Sequence, residues 1–117
     1  MRDLQPTLGS DEFVFVQAEN WDEQAVAACR EHEGLTLVMP RSACPDGAFP
    51  CRRITLGTVT DLAETGVMAW VSARLAEAGI PCNPMAGFCH DHLFVPAEQA
   101  ERALEVLRQS VAGTTSV

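Results

Sequence analysis

Apolar and polar positions along this chain fall into two rhythms, one of period two and one of period three to four, and their boundaries give the elements. Phe13-Val14-Phe15-Val16 is β-branched and aromatic between acidic and Asn residues, and predicts a first strand. Leu35-Thr36-Leu37-Val38-Met39 alternates cleanly, and Arg52-Arg53-Ile54-Thr55-Leu56 returns to strand after the turn-rich run Pro40 to Pro50, which has room for one helical turn. Met1 to Ser10, with Leu4, Leu8 and a break at Pro6, predicts a helical turn laid against the sheet.

Trp21–Glu33 supports two readings. Asn20 with Glu23 forms a capping box, and Ala25, Cys29 and His32 recur at helical spacing. Val26 and Ala28 also alternate toward Cys29-Arg30, and Glu33-Gly34 offers a turn into the next strand, which makes a hairpin.

Further along, Thr60-Asp61-Leu62 is suited to capping a helix whose positions Ala63, Val67, Val71, Leu75 and Ala78 share one face, with Met68 at its edge. Small residues Ala69, Ser72, Ala73 and Ala76 occupy the other face, where a second protomer could approach closely. Ile80 to Pro96 predicts two short strands around a polar turn at His90-Asp91. Pro96 then opens a last helix, with Ala100, Ala103, Leu104, Leu107 and Val111 on one side and Glu98, Glu101, Glu105 and Arg108 toward water; Gly113 to Val117 reads as a frayed tail.

The 117 residues suffice for one domain or two very small ones sharing a core. Sixteen acidic against 8 basic side chains leave a net charge of −8, which repels phosphate backbones and anionic lipid surfaces, so neither nucleic acid nor membrane is an expected partner. No apolar run approaches the roughly 18 residues of a membrane span, and no basic segment leads into an apolar one at the start, so the expected location is cytoplasmic. Cys29, Cys44, Cys51, Cys82 and Cys89 have no C-x-x-C spacing and fit neither a disulfide framework nor a zinc module; buried reduced thiols are expected.

Strand, helix, strand, strand, helix from Arg52 to Ser110 predicts an α+β sandwich with two helices on one face of an antiparallel sheet. In detail, Ile54-Thr55-Leu56, the helix with Gly66 near its start, Leu75-Ala76-Glu77-Ala78-Gly79-Ile80, Cys82-Asn83 and Ala86-Gly87-Phe88 leading into His90-Asp91-His92-Leu93-Phe94-Val95-Pro96 resemble the ACT domain. They are most similar to a branch of small bacterial proteins in which a shorter ACT-like half precedes a full one. Arg30-Glu31 and Glu33-Gly34-Leu35-Thr36-Leu37-Val38 resemble the strand-turn-strand of that first half, which favours the hairpin reading of the ambiguous segment.

The resemblance implies a ferredoxin-like fold divided into an N-terminal half, residues 1–50, and a full C-terminal domain, residues 51–117. It also implies a regulatory, non-enzymatic module that binds a small ligand, commonly an amino acid, and pairs as a homodimer without a cofactor. Relatives usually carry a His-Ser-Ser-Leu-like stretch before the helix where this chain has Val59-Thr60-Asp61-Leu62, so contacts made there would differ.

The expected ligand residues are Thr60, Asp61, Leu62, Gly66, Val67, Met68, Asn83, Ala86, His90 and His92. Gly66 at a helix N-terminus lets a carboxylate reach backbone N–H groups at the positive end of the helix dipole. Asp61 could accept from an α-amino group, and Asn83 offers both a donor and an acceptor. The bland alternative has Asp61 only capping the helix and Gly66 only easing packing.

His90-Asp91-His92 contains the ligand types of a zinc or iron site, which would make the protein a small metal- or thiol-dependent enzyme centred there with Cys89. Strand geometry opposes this, because His90 and His92 would share a face while Asp91 points away and no nearby residue completes the ligand set. Cys89 and His90, as neighbours on a strand, would face opposite ways.

Overall fold

The structure, a computed structural model, describes residues 3–113, with side chains described as far as residue 109. Six antiparallel strands, β1 (Pro6–Ala18), β2 (Ala27–Glu31), β3 (Gly34–Pro40), β4 (Ala48–Leu56), β5 (Asn83–Ala86) and β6 (Asp91–Pro96), form one sheet in the order β2-β3-β1-β4-β6-β5. Two helices accompany it, α1 (Val67–Glu77) and α2 (Ala100–Gly113), the second entered through a 3-10 turn at Ala97–Gln99. Val111 and residues 114–117, expected to line a helix and to fray, lie outside the described side chains and residues, as do residues 1–2.

From Pro6 onward the chain is strand and not a helical turn. Pro6, Thr7 and Leu8 pair with Leu56, Thr55 and Ile54, while β3 reaches β1 only from Phe13 onward. Pro6 is therefore the first residue of the strand with a neighbour on one side only, where its missing N–H costs least. Leu4, Pro6 and Leu8 stand at spacing two, which serves a strand as well as a turn; Leu4 is buried and Leu8 packs on the same cluster.

Trp21–Glu33 resolves as turn plus strand. Asp22 accepts from Gln24 N–H at 2.8 Å and closes a turn to Ala25 at 3.0 Å, so no helix starts at Asn20. Residues Ala27 to Glu31 pair with Val38 to Gly34, leaving a two-residue hairpin loop at His32-Glu33 followed by Gly34 at φ 146°. Thr36 donates across it to Glu31 at 2.6 Å.

Alternation sorts the sheet residues into two faces. Ile54, Leu56, Leu93 and Val95 cluster with Val67, Val71 and Leu75 of α1 and with Ala100, Ala103 and Leu107 of α2. Cys51 and Phe94, one position out of phase, belong to another cluster with Phe13, Ala27 and Val38. In that cluster Phe13, Phe15, Phe49 and Phe94 meet edge to face at centroid distances of 6.0 to 6.1 Å, and the Arg53 guanidinium lies 5.4 Å from the Phe13 ring. A third cluster, Val14, Leu35, Leu37 and Met39, is covered by loops carrying Ala25 and Cys44, with no helix residue joining it among the described side chains.

The sheet is strongly curled. Its outermost strands, β2 and β5, line one cavity although four strands separate them in the order. Of the five free cysteines only Cys51 is fully buried; Cys29 and Cys89 are exposed, which corrects the expectation of a buried set.

Candidate ligand-binding cleft

The segment between β4 and α1 is where backbone chemistry is concentrated. The helix begins five residues later than the capping pattern at Asp61 suggests, with Gly66 and not Asp61 at its N-cap position. Asp61 accepts from Ala63 N–H at 2.8 Å through its carboxylate and from Glu64 N–H at 2.9 Å through its carbonyl, closing a turn of its own. Ala63, expected on the buried stripe, is consequently exposed and outside the helix. Gly66 then takes φ 92°, a left-handed conformation open to glycine, and its carbonyl accepts the first helical hydrogen bond from Trp70 at 3.0 Å.

Among the described residues no side chain caps α1, so the N–H groups of its opening turn have neither an intrahelical partner nor a described capping group. They border a cleft of about 210 Å³ lined by Thr60, Asp61, Leu62, Glu64, Gly66, Val67, Met68, Ala69, Ala86 and Asp91. Thr60, nearly buried, joins its two sides: its hydroxyl donates to Asp91 Oδ2 at 3.2 Å and its N–H to the Cys89 carbonyl at 3.3 Å. Beside the cleft lies a second concavity that shares Thr60, Asp61, Leu62 and Glu64 and adds Val59 and Phe88. Val59, Leu62 and Phe88 are 67%, 67% and 87% exposed, an apolar group on two loops with nothing over it among the described residues.

Seven of the expected ligand residues, Thr60, Asp61, Leu62, Gly66, Val67, Met68 and Ala86, are gathered by this cleft. Three are not. Asn83 lines the cavity between the sheet edges. His90 donates from Nδ1 to the Leu56 carbonyl at 3.1 Å, and His92 Nδ1 meets Thr55 Oγ1 at 3.0 Å. Burial, together with the charges of Arg53 and His90, holds His92 below the usual histidine range against a weaker opposing pull from Asp91.

Glu64, Ala69 and Asp91 line the cleft, and Phe88 the concavity beside it, without having been foreseen. Asp91 was legible: it stands two and four positions before Leu93 and Val95, which puts it on their face of β6. Phe88 and Glu64 sit in loops where no periodicity acts.

Among the described residues no group of three His, Cys, Asp or Glu side chains is placed to hold a metal ion. Cys51 is pushed up to about 11 by burial and by Glu12, and Cys82 to about 11 by burial, so both thiols stay protonated at neutral pH. No described helix is long and apolar enough to cross a membrane.

Family models of the ACT domain match residues 49–109 and residues 1–51. The chain belongs to the ACT domain family. An antiparallel sheet with two helices is the α+β architecture expected of an ACT domain, and regulatory binding of small ligands is the general role of such domains. A crystal structure from Vibrio cholerae, of a protein of unknown function described as a possible transport protein, is 33% identical with a TM-score of 0.81, covering 91% of this chain and 88% of that one. An Agobacterium tumefaciens crystal structure shares the fold at 20% identity and a TM-score of 0.76, over 95% of this ACT protein and 91% of that chain. No curated protein matches the sequence.

Proposed function

We propose that this ACT protein is a non-enzymatic regulatory module that binds a free amino acid in the cleft before α1, and that two ACT-like halves share its single sheet. The observation that carries the reading is the pairing of unlike ends in one small space. Uncapped N–H groups of α1 suit a carboxylate, and the carboxylates of Asp61 and Asp91 retain acceptor capacity beyond Ala63 N–H and the Thr60 hydroxyl, which suits an ammonium group. Among the described residues no basic side chain lines the cleft, which disfavours a ligand with only negative charge there. Val59, Leu62 and Phe88 favour an apolar side chain on the ligand.

The scattering of His90, Asp91 and His92 onto Leu56, Thr60 and Thr55 supports this reading over a metal- or thiol-dependent enzyme. Free cysteines and net acidity favour a reducing, cytoplasmic setting, and the exposed positions Ala69, Ser72 and Ala76 of α1 favour a homodimer. Calorimetric titration with the twenty amino acids tests the binding claim: at least one should bind with one site per chain. If none binds the metal-free protein, the cleft assignment is wrong. Sedimentation at micromolar concentration tests the dimer, which a monomeric wild type would refute.

A further inference from the structure

The largest aromatic cluster of the molecule lies on the sheet face opposite the helices, and part of it floors a cavity of about 310 Å³. Val38, Phe15 and Phe94 form that floor, Ala27 and Cys29 of β2 one wall, and Asn83, Pro84 and Met85 of β5 the other. Curling of the sheet makes the space, because the walls are the two edge strands, which stand at opposite ends of the strand order. In a protein with 21% charged residues, none of the described charged side chains lines it. Bringing an ion into such a lining would cost its hydration without a compensating partner.

We infer that this cavity is a second ligand site, distinct from the cleft before α1, and that it takes an uncharged, mainly apolar small molecule with one hydrogen-bonding group. Size fits: an apolar cavity of roughly 150 Å³ suffices for benzene, and this one is at the lower end of ligand pockets, about 300 to 1,000 Å³. Among the described residues the Asn83 side-chain amide has no hydrogen-bond partner, so it can receive the ligand's polar group at the rim. Met85 is partly exposed and conformationally adaptable, which lets the β5 wall close on ligands of differing shape. A second copy of the chain would need to insert a protruding apolar group there, whereas both edge strands present a recess.

Fluorescence titration with N-phenyl-1-naphthylamine, uncharged at neutral pH, tests the site. Saturable binding of one probe per chain is expected, with 1-octanol displacing it far better than octanoate. Cys29→Phe and Met85→Trp, which fill the recess from opposite walls, should each abolish the signal while circular dichroism and the melting temperature stay near wild type; if one variant misfolds, the other and the octanol-octanoate pair still decide. No saturable binding, equal displacement by octanoate, or a signal lost in Phe88→Ser but kept in Cys29→Phe would overturn the proposal. So would loss of binding on self-association, which would give the face to a second copy.

Discussion

Thr60 donates its hydroxyl hydrogen to Asp91 across 3.2 Å, tying the loop that follows β4 to the first residue of β6. Thr60 is 6% exposed, so little water can replace the bond, and through it the segment that delivers Asp61 to the cleft is fixed relative to the hairpin.

Thr60→Val keeps the volume and removes the donor. Stability should fall by about 1–2 kcal/mol, the usual cost of leaving a poorly solvated acceptor with one partner fewer. Urea unfolding checks this, and calorimetry on the same variant should show weaker amino-acid binding because Asp91 is no longer held. An unchanged urea midpoint would show that the bond contributes nothing.

What could be read in advance follows from how each element is stabilised. Val67, Val71 and Leu75 recur at the helical period because one buried stripe holds α1 to the sheet, so the helix was evident from side chains alone. Its start was not, since Asp61 satisfies a turn with the same hydrogen bonds that would cap a helix, and Gly66 breaks the path between them. Leu4, Pro6 and Leu8 are compatible with turn or strand, and only pairing with β4, more than forty residues away, decides it. Asn83 lines the cavity between the sheet edges and not the cleft before α1, because sequence spacing says nothing about the curl that brings β5 opposite β2.

Asp61 closes the turn before α1, and the proposed ligand site would give it a second, separable role. Asp61→Asn keeps an oxygen for Ala63 N–H while removing the charge; Asp61→Ala loses both. Both should weaken amino-acid binding by roughly 1–3 kcal/mol, the range for a hydrogen bond to a charged group. Only Asp61→Ala should also lower stability, by about 0.5–1.5 kcal/mol. Calorimetry and urea unfolding read the two effects independently, and Asp61→Asn binding as tightly as wild type would remove Asp61 from the site.

The depressed pKa of His92 makes a contribution to pH dependence with a defined sign. Below the ordinary value of 6.5 the unfolded chain takes up a proton there, while the folded chain resists until its lower pKa is reached. Folding stability from this group is therefore constant above 6.5 and lost as pH falls through that window. His92→Gln, which keeps a polar group facing Thr55, should show a smaller drop in urea midpoint between about pH 7.5 and pH 5 than wild type, since glutamine does not titrate. Parallel curves would mean that His92 protonates equally easily in both states.

A short loop covers Val14, Leu37 and Met39, and Gly47 is what lets it lie close. Gly47 donates its N–H to the Cys44 carbonyl at 3.0 Å, and a Cβ added there would overlap the Val14 side chain. Val14 is fully buried and β-branched, so it has no alternative rotamer to retreat into, and the loop itself must lift. Gly47→Ala should therefore cost about 1–3 kcal/mol, as overpacked cores do. Gly9→Ala is the matched control: its Cβ would meet only the Arg53 carbonyl, at an ordinary 3.6 Å, and the loss of unfolded-state freedom should leave that variant as stable as wild type or up to about 1 kcal/mol more so. Denaturant midpoints of the two variants, measured side by side, decide whether close approach of the loop is what seals this end of the sheet; equal midpoints would show that the loop moves aside at no cost.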